Sequence, residues 1–321
     1  MNNSIKKILK TLLPISLGVF LVWYSYNATS AEDRSEIIKY IKEADVFWVS
    51  LSICIGIISH VSRAIRWNYL LEPLGYTPKI RNNVLIIFMS YFANALIIRS
   101  GEVLRPTALS TYENVPFEKG LGTIVIERVI DVLMLLLVIT IALILQTNVI
   151  LKILDENGIG LVGSIGILLV GIIGLFIAIK IIQKSTSKFA IKIKTFLKGI
   201  QDGVLSIFNM KNKWKFVFHT LLIWVAYVAM FWVIKFTVVE TIDLSVSQIL
   251  VAFIAGAFAM STTNGGLGLF PIVVSKILVA YGISSVSSDA YGWIMWIAQT
   301  AMLVVFGAIS FLLLPLLNRN R

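Results

Sequence analysis

The chain has 321 residues, of which 58% are hydrophobic and 14% charged, and its formal net charge is +11. Soluble domains carry about 25% charged residues, so this composition excludes a soluble catalytic domain and predicts an integral membrane protein. The excess charge indicates a membrane surface rather than nucleic acid, because the segment 180–215 alone holds nine lysines against Asp202.

Uncharged runs in the chain predict its membrane-spanning helices, since about 20 apolar residues cross the ~30 Å hydrocarbon core. About six full transmembrane helices are expected, within residues 11–31, 46–62, 132–151, 157–179, 216–234 and 290–318.

Two further apolar regions, 82–117 and 245–286, are interrupted by helix-breaking residues in their middles. The breakers are Ser100, Gly101 and Pro106 in the first region, and Gly265, Gly266, Gly268 and Pro271 in the second. Broken backbone inside a membrane survives only where protein or a water-filled cavity satisfies its polar groups. We therefore interpret each region as a broken or re-entrant hairpin; two ordinary helix pairs are the alternative.

Lysine and arginine in short loops predict the orientation, because cytoplasmic loops carry more of them. The N-terminus and the segments 63–81, 180–215 and 319–321 are basic and are placed in the cytoplasm. We expect a multi-pass protein of the cytoplasmic (inner) membrane with both termini cytoplasmic. The first hairpin then opens from the cytoplasm and the second from outside.

The order of these elements repeats, so we expect a single integral membrane domain over 1–321 built as an inverted repeat. Residues 8–148 and residues 158–317 each give helix, helix, hairpin and long helix, beginning on opposite sides. A basic segment, 183–213, joins the halves as an interfacial amphipathic helix, and 33–43 predicts a shorter one. A solvated connector that obeys the positive-inside rule explains both segments adequately and is favoured over a specific lipid sensor. Inverted repeats with broken helices are typical of transporters with a site near the bilayer midplane.

Ionisable residues inside these segments are candidate functional groups, because burying charge in a membrane is costly. Glu127, Arg128 and Asp131 form the densest group, and Glu127 and Asp131, four residues apart, share a helix face. Two acids beside one arginine leave net negative charge, which requires another cation nearby.

Arginines of the first hairpin and of the second helix are the candidates for that cation. Arg99, Glu102 and Arg105 recur every three residues and are expected on one side of the hairpin's second limb, whereas Arg63 and Arg66 end the second helix. The planar guanidinium donates two parallel hydrogen bonds to a phosphate, so this cluster, with Asn94, is a candidate lipid-phosphate site. The alternative is an ion-pair network that holds the helices together and, for Arg63 and Arg66, an anchor at the membrane surface.

The glycine-rich stretch of the second hairpin is a second candidate for anion binding. Gly265, Gly266 and Gly268 offer backbone N–H groups at a helix start, and Asn264 is a candidate cap for that helix. A tight turn alone is the alternative.

The ordered set of motifs resembles the lysylphosphatidylglycerol synthase transmembrane family over roughly residues 10–315. The motifs are Arg63-x-x-Arg66-Trp67, Gly101-Glu102-x-x-Arg105-Pro106, Glu127-Arg128-x-x-Asp131 and Gly265-Gly266-Leu267-Gly268. The resemblance implies a flippase-like domain that moves a phospholipid or a modified, aminoacylated lipid between leaflets. Asn264 and Pro271 depart from the family pattern, where a proline and an acid are usual, and we expect a standalone member without the synthase domain.

The sequence thus predicts a lipid translocase that is not an enzyme and uses no cofactor or metal. No phosphate-binding loop of the ATPase type is present, and the lone Cys54 and two separated histidines make no metal site by themselves. Membrane phospholipids are the expected partners, with a lipid-modifying synthase or a homo-oligomer as further candidates. The alternative function is a non-transporting, lipid-binding partner subunit of a lipid-modifying enzyme.

Overall fold

The computed structural model describes residues 3–97, 99–147 and 210–319, and the single positions 180, 184, 185, 187, 190, 191 and 194. Every α or β element within these ranges is a helix, which confirms the all-α prediction. In chain order the helices are α1 (Asn3–Ala28), α2 (Ala31–Glu43), α3 (Val46–Leu71), α4 (Ile80–Leu96), α5 (Ser100–Glu113), α6 (Phe117–Leu145), α7 (Lys213–Ile234), α8 (Val246–Thr262), α9 (Leu269–Ala280) and α10 (Ser285–Leu317).

Four of these helices are long and apolar enough to cross a membrane: α3, α6, α7 and α10. The spans predicted at 46–62, 216–234 and 290–318 overlap α3, α7 and α10, each of which begins at or before the predicted start. The span predicted at 132–151 overlaps the second half of a longer helix, because α6 already begins at Phe117. The span predicted at 11–31 overlaps α1, which is not among the four, and the span predicted at 157–179 lies outside the described residues.

The helix expected over 33–43 is present as α2, whose start is capped by its own sequence. The side chain of Ser30 accepts a hydrogen bond from the backbone N–H of Asp33 at 3.0 Å, which satisfies one of the free N–H groups of the first turn. Ile37 is the buried residue of this helix, which also carries seven charged side chains.

The two interrupted regions each fold into two short helices. Hairpin 1 consists of α4 and α5, and hairpin 2 consists of α8 and α9. At 1.5 Å per residue the limbs are about 25, 21, 25 and 18 Å long, shorter than the ~30 Å hydrocarbon core. A single limb is therefore too short for a full crossing.

Both ends of hairpin 1 lie at the end of α10. Near the start of α4, the amide of Asn82 contacts Glu113 at the end of α5, and it donates to the side-chain oxygen of Asn318 at 2.9 Å. Hairpin 1 therefore enters and leaves at the same level.

Both ends of hairpin 2 lie at the opposite end, at the start of α10. Glu240, shortly before α8, accepts hydrogen bonds from the backbone N–H and the hydroxyl of Ser284, each at 2.9 Å. Ser284 directly precedes α10 and lies close behind the end of α9 in sequence. The two hairpins thus open toward opposite ends of α10. The short limbs, rather than these openings, favour the hairpin interpretation over full helix pairs.

The tips of the hairpins meet between these two levels. The side-chain amide of Asn264 donates to the carbonyl of Leu96 at 2.7 Å, and the indole of Trp296 donates to the carbonyl of Gly265 at 2.8 Å. Trp296 lies eleven residues into α10, which is about 17 Å from the start of that helix.

The prolines lie within helices and do not break the hairpins, contrary to the expectation from their sequence positions. Pro106 lies inside α5 and Pro271 lies in the first turn of α9, where its missing N–H has no intrahelical partner to lose. The break in hairpin 1 precedes Ser100, at Arg99, whose backbone is left-handed with φ 61°.

The contacts fall into two compact units, residues 1–125 with 211–321, and residues 126–210. The first unit contains both hairpins. The predicted halves 8–148 and 158–317 and the joining segment 183–213 include positions outside the described residues, so the inverted repeat stays a prediction.

Candidate functional site

Three arginines of the first unit are buried within its helices. Arg63 and Arg66 are 2% and 0% exposed on α3, and Arg105 is 2% exposed on α5. An arginine that anchors a helix at the membrane surface keeps its guanidinium in water. Their burial therefore argues against the anchoring interpretation of Arg63 and Arg66.

Arg63 and Arg66 face α7, because residues three apart share one side of a helix. The guanidinium of Arg63 donates to the hydroxyl of Tyr227 at 3.1 Å, and that of Arg66 donates to the hydroxyl of Thr220 at 3.3 Å. The Arg66 guanidinium also lies 5.7 Å from the ring centroid of Phe216. These hydroxyl and ring contacts orient both guanidinium groups against α7.

Trp67 connects the two arginine-bearing helices. The guanidinium of Arg105 lies 4.2 Å from the centroid of the Trp67 ring, within the range of a cation–π contact. The indole N–H of Trp67 donates to the hydroxyl of Thr123 on α6 at 2.8 Å, which fixes the plane of the ring. We call Arg63, Arg66, Trp67 and Arg105 the arginine cluster.

Arg99 does not share a helix face with Glu102 and Arg105 as the three-residue spacing suggested, whereas Glu102 and Arg105, three residues apart in α5, do share one. Arg99 precedes α5 in a left-handed conformation and its side chain is exposed. Glu102 is half-buried in the first turn of α5, where a carboxylate suits the positive end of the helix. The expected line of three is wrong because the helix begins only after Arg99.

Asn94 has a structural role at the tip of hairpin 1. Its side-chain oxygen accepts a hydrogen bond from the backbone N–H of Gly101 at 2.8 Å, so it caps the start of α5 from the neighbouring limb. A Cβ on Gly101 would lie 2.1 Å from the carbonyl oxygen of Ser90. The limbs of hairpin 1 therefore need both residues for their close approach.

Glu127, Arg128 and Asp131 belong to the second unit, on α6. Glu127 is fully buried. The guanidinium of Arg128 forms an ion pair at 3.9 Å with the carboxylate of Asp131, three residues later on the same helix. Their predicted participation in one site with the arginines stays a prediction.

The glycine-rich tip of hairpin 2 is filled by protein. A Cβ on Gly268 would lie 2.5 Å from the carbonyl oxygen of Gly18 in α1, and one on Gly266 would lie 2.7 Å from the sulfur of Met260. Gly265, Gly266 and Gly268 all have positive φ, which L-residues rarely adopt. These features support the tight-turn alternative over an open anion site.

Asn264 does not cap the helix that follows it, because its side chain reaches the carbonyl of Leu96 in the other hairpin. The sequence offered no signal for this contact between residues 168 positions apart. The sequence also offered no signal for the hydroxyl contacts of the arginine cluster, because hydroxyl groups in apolar helices carry no pattern that indicates their partners. These hydroxyl groups belong to Tyr227, Thr220 and Thr123.

Comparisons with known proteins agree with the resemblance in the motifs. The sequence model described as "Lysylphosphatidylglycerol synthase TM region" matches residues 11–307. The chain is 31% identical over 102 residues to "Glycosyltransferase AglD" of Haloferax volcanii, covering 32% of this chain and 16% of that protein. It is 30% identical over 99 residues to "UPF0104 membrane protein MJ1595" of Methanocaldococcus jannaschii, covering 30% of each. The chain thus aligns with under a third of either relative's length, and no solved structure matches it.

Proposed function

We propose, from the premise that this chain belongs to the lysylphosphatidylglycerol synthase transmembrane family, that it is a lipid translocase. Its substrate is a phospholipid, anionic or aminoacylated, whose headgroup enters between the hairpins while the acyl chains stay in the bilayer. It has no catalytic role and needs no cofactor, and it resides in the cytoplasmic membrane with both termini in the cytoplasm.

The arginine cluster is the observation that carries this proposal. Burying a charged side chain away from water is costly, yet three buried arginines lie on the two helices that meet at Trp67. Simple helix packing would be served better by apolar residues. Guanidinium groups recognise phosphate through paired hydrogen bonds, so a lipid phosphate is the ligand that best explains their presence.

The hairpins supply the second part of the proposal, a pathway. They open toward opposite ends of α10 and meet at Asn264 and Leu96, so parting the tips would join two half-depth openings. Proteins built from broken helices often alternate access in this way. Glu127 and Asp131 remain candidate site residues whose contribution is to be tested by substitution. The movement is either driven by an electrochemical gradient or is a passive exchange that needs no energy source.

Lipid retention tests the proposed substrate class. Native mass spectrometry of the gently purified chain is expected to show a bound phospholipid, and Arg105→Ala is expected to lose it. Arg81→Ala is the matched control, since Arg81 is an exposed arginine at the start of α4. Equal lipid retention in all three proteins would contradict the assignment of the cluster.

Transport separates the translocase from the alternative, a lipid-binding partner subunit. A partner subunit retains lipid through the same cluster, yet it does not speed lipid exchange between leaflets. Purified chain in liposomes therefore distinguishes the two functions when a fluorescent phospholipid is followed from one leaflet to the other.

A further inference from the structure

The junction of the hairpin tips buries two polar groups that have no partner within the described part of the chain. Thr263 and Asn264 are 1% and 5% exposed. The hydroxyl oxygen of Thr263 and the side-chain carbonyl oxygen of Asn264 form no hydrogen bond with any described residue. Buried polar atoms are nearly always paired in proteins, so two adjacent exceptions indicate a ligand.

The orientation of the Asn264 amide follows from its bond to the other hairpin. The carbonyl of Leu96 only accepts hydrogen bonds, so the nitrogen of Asn264 must face it at 2.7 Å. The amide oxygen is thereby held as a fixed acceptor at the junction. A group with positive charge or with hydrogen-bond donors is the partner that such an oxygen requires.

The backbone at the junction of the hairpin tips also presents hydrogen-bond acceptors and partial negative charge. The last helical hydrogen bond of α8 runs from the N–H of Thr263 to the carbonyl of Ala259. The carbonyls of residues 260–262 therefore accept no hydrogen bond from within the helix. The carboxyl end of a helix carries about half a negative charge, and α4 and α8 both end here. Arg99, the charged residue next to α4 in sequence, is exposed.

We propose that this junction is a binding site for a monovalent metal cation, Na⁺ or K⁺. Thr263 and Asn264 provide side-chain oxygen ligands, and carbonyl oxygens at the end of α8 provide the others. Residues 259–268 contain no carboxylate, and hard divalent ions take carboxylates in their protein sites. Neutral oxygens and helix carboxyl ends are instead what membrane transporters offer to Na⁺.

This site does not rest on the lipid proposal. Because it bridges the two hairpins, an ion bound there would stabilise their contact and couple an ion gradient to any opening of the tips. A chain that moves lipid without binding the ion would overturn the site alone, whereas a chain that binds the ion and moves no lipid would overturn the proposed function alone.

Binding of ²²Na⁺ to the purified full-length chain in detergent tests the site, with unlabelled NaCl, KCl or choline chloride as competitor at constant ionic strength. Saturable binding displaced by NaCl, and by KCl if the site also takes K⁺, but not by choline is expected. Asn264→Ala and Thr263→Val should each weaken it by about tenfold or more, the loss seen for supporting groups at metal sites. Thr107→Val is the control, because the exposed Thr107 hydroxyl on α5 already donates to the carbonyl of Val103 at 2.8 Å.

Asn264→Asp distinguishes an ion ligand from a purely structural amide. The aspartate loses the N–H donor to Leu96 but keeps a ligand oxygen, so ion binding is expected to persist in it while Asn264→Ala loses binding. Equal loss in both variants would overturn the proposed ligand role, and the absence of saturable binding in the unmodified chain would overturn the site and leave water as the partner of these oxygens.

Discussion

The guanidinium of Arg105 lies 4.2 Å from the ring centroid of Trp67, with both residues buried. Trp67 follows Arg66 directly in α3, so this contact brings hairpin 1 against the helix that carries the other two arginines. An aromatic face attracts and orients a guanidinium, which suits a site that must present arginine donors to an anion.

Substitutions of Trp67 test whether its ring holds Arg105 for ligand binding. Trp67→Phe keeps an aromatic face and loses the bond to Thr123, so it should retain bound phospholipid and lose about 1 kcal/mol of stability. Trp67→Leu removes the face, and bound lipid should fall severalfold by native mass spectrometry. Full lipid retention by Trp67→Leu would show that the ring contact has no part in binding.

Gly101→Ala is expected to destabilise hairpin 1. Its Cβ would lie 2.1 Å from the carbonyl oxygen of Ser90, and overpacking of this kind typically costs about 1–3 kcal/mol. Gly122→Ala is the matched control on α6, since its Cβ meets no described atom within 4 Å and alanine favours a helix by up to about 1 kcal/mol. The midpoint temperature of thermal unfolding in detergent should be lower than that of the parent chain in Gly101→Ala alone. A midpoint in Gly101→Ala equal to that of the parent chain would contradict the close approach of α4 and α5.

Asn94 is predicted to act through its oxygen alone. Asn94→Ala removes the acceptor for the N–H of Gly101 and should cost about 1 kcal/mol, as other lost helix caps do. Asn94→Asp keeps the acceptor and adds charge at the positive end of α5, so its unfolding midpoint should stay near that of the parent chain. A similar loss in both variants would indicate that the amide nitrogen of Asn94 is the group that matters.

The break positions show how far the sequence predicts this fold. Glycines and low charge in 82–117 and 245–286 identified both hairpins, because a broken backbone within an apolar segment requires surrounding protein or a cavity to satisfy its polar groups. Ser100 and Gly101 located the break in hairpin 1 to within one residue of Arg99, whereas the left-handed backbone of Arg99 leaves no compositional signal and Pro106 lies inside α5.

The arginines of the candidate site stand out in the sequence, whereas their uncharged contacts do not. Arg63, Arg66 and Arg105 stand out because arginine is rare in membrane helices. The hydrogen bonds to Thr220 and Tyr227 and the bond from Asn264 to Leu96 join residues far apart in sequence, so only the packing of the helices reveals them.

The contact between Glu240 and Ser284 should make stability depend on acid pH. Hydrogen bonds from the backbone and the side chain of Ser284 hold the pKa of Glu240 below its ordinary value of 4.5. A carboxylate with a lowered pKa stabilises the fold above its unfolded pKa, and that contribution disappears as the pH falls through the folded value.

The unfolding midpoint of Glu240→Gln should therefore lie below that of the parent chain at neutral pH, and the difference should shrink below about pH 4.5. Ser284→Ala should show the same convergence, because it removes a hydroxyl that helps to lower the pKa of Glu240. A constant difference across the acid range would contradict this account of the contact.

Lipid exchange in liposomes tests the central claim, that the buried arginines serve lipid movement. The chain, Arg105→Ala, the double variant Arg63→Ala/Arg66→Ala and the exposed control Arg81→Ala are reconstituted at equal amounts with a fluorescent phospholipid. Chemical quenching of the outer leaflet then reports the exchange rate. Rapid exchange is expected with the parent chain and Arg81→Ala, and exchange near that of protein-free liposomes is expected with the cluster variants. Equal exchange rates in folded cluster variants and the parent chain would contradict the role of the buried arginines in lipid movement.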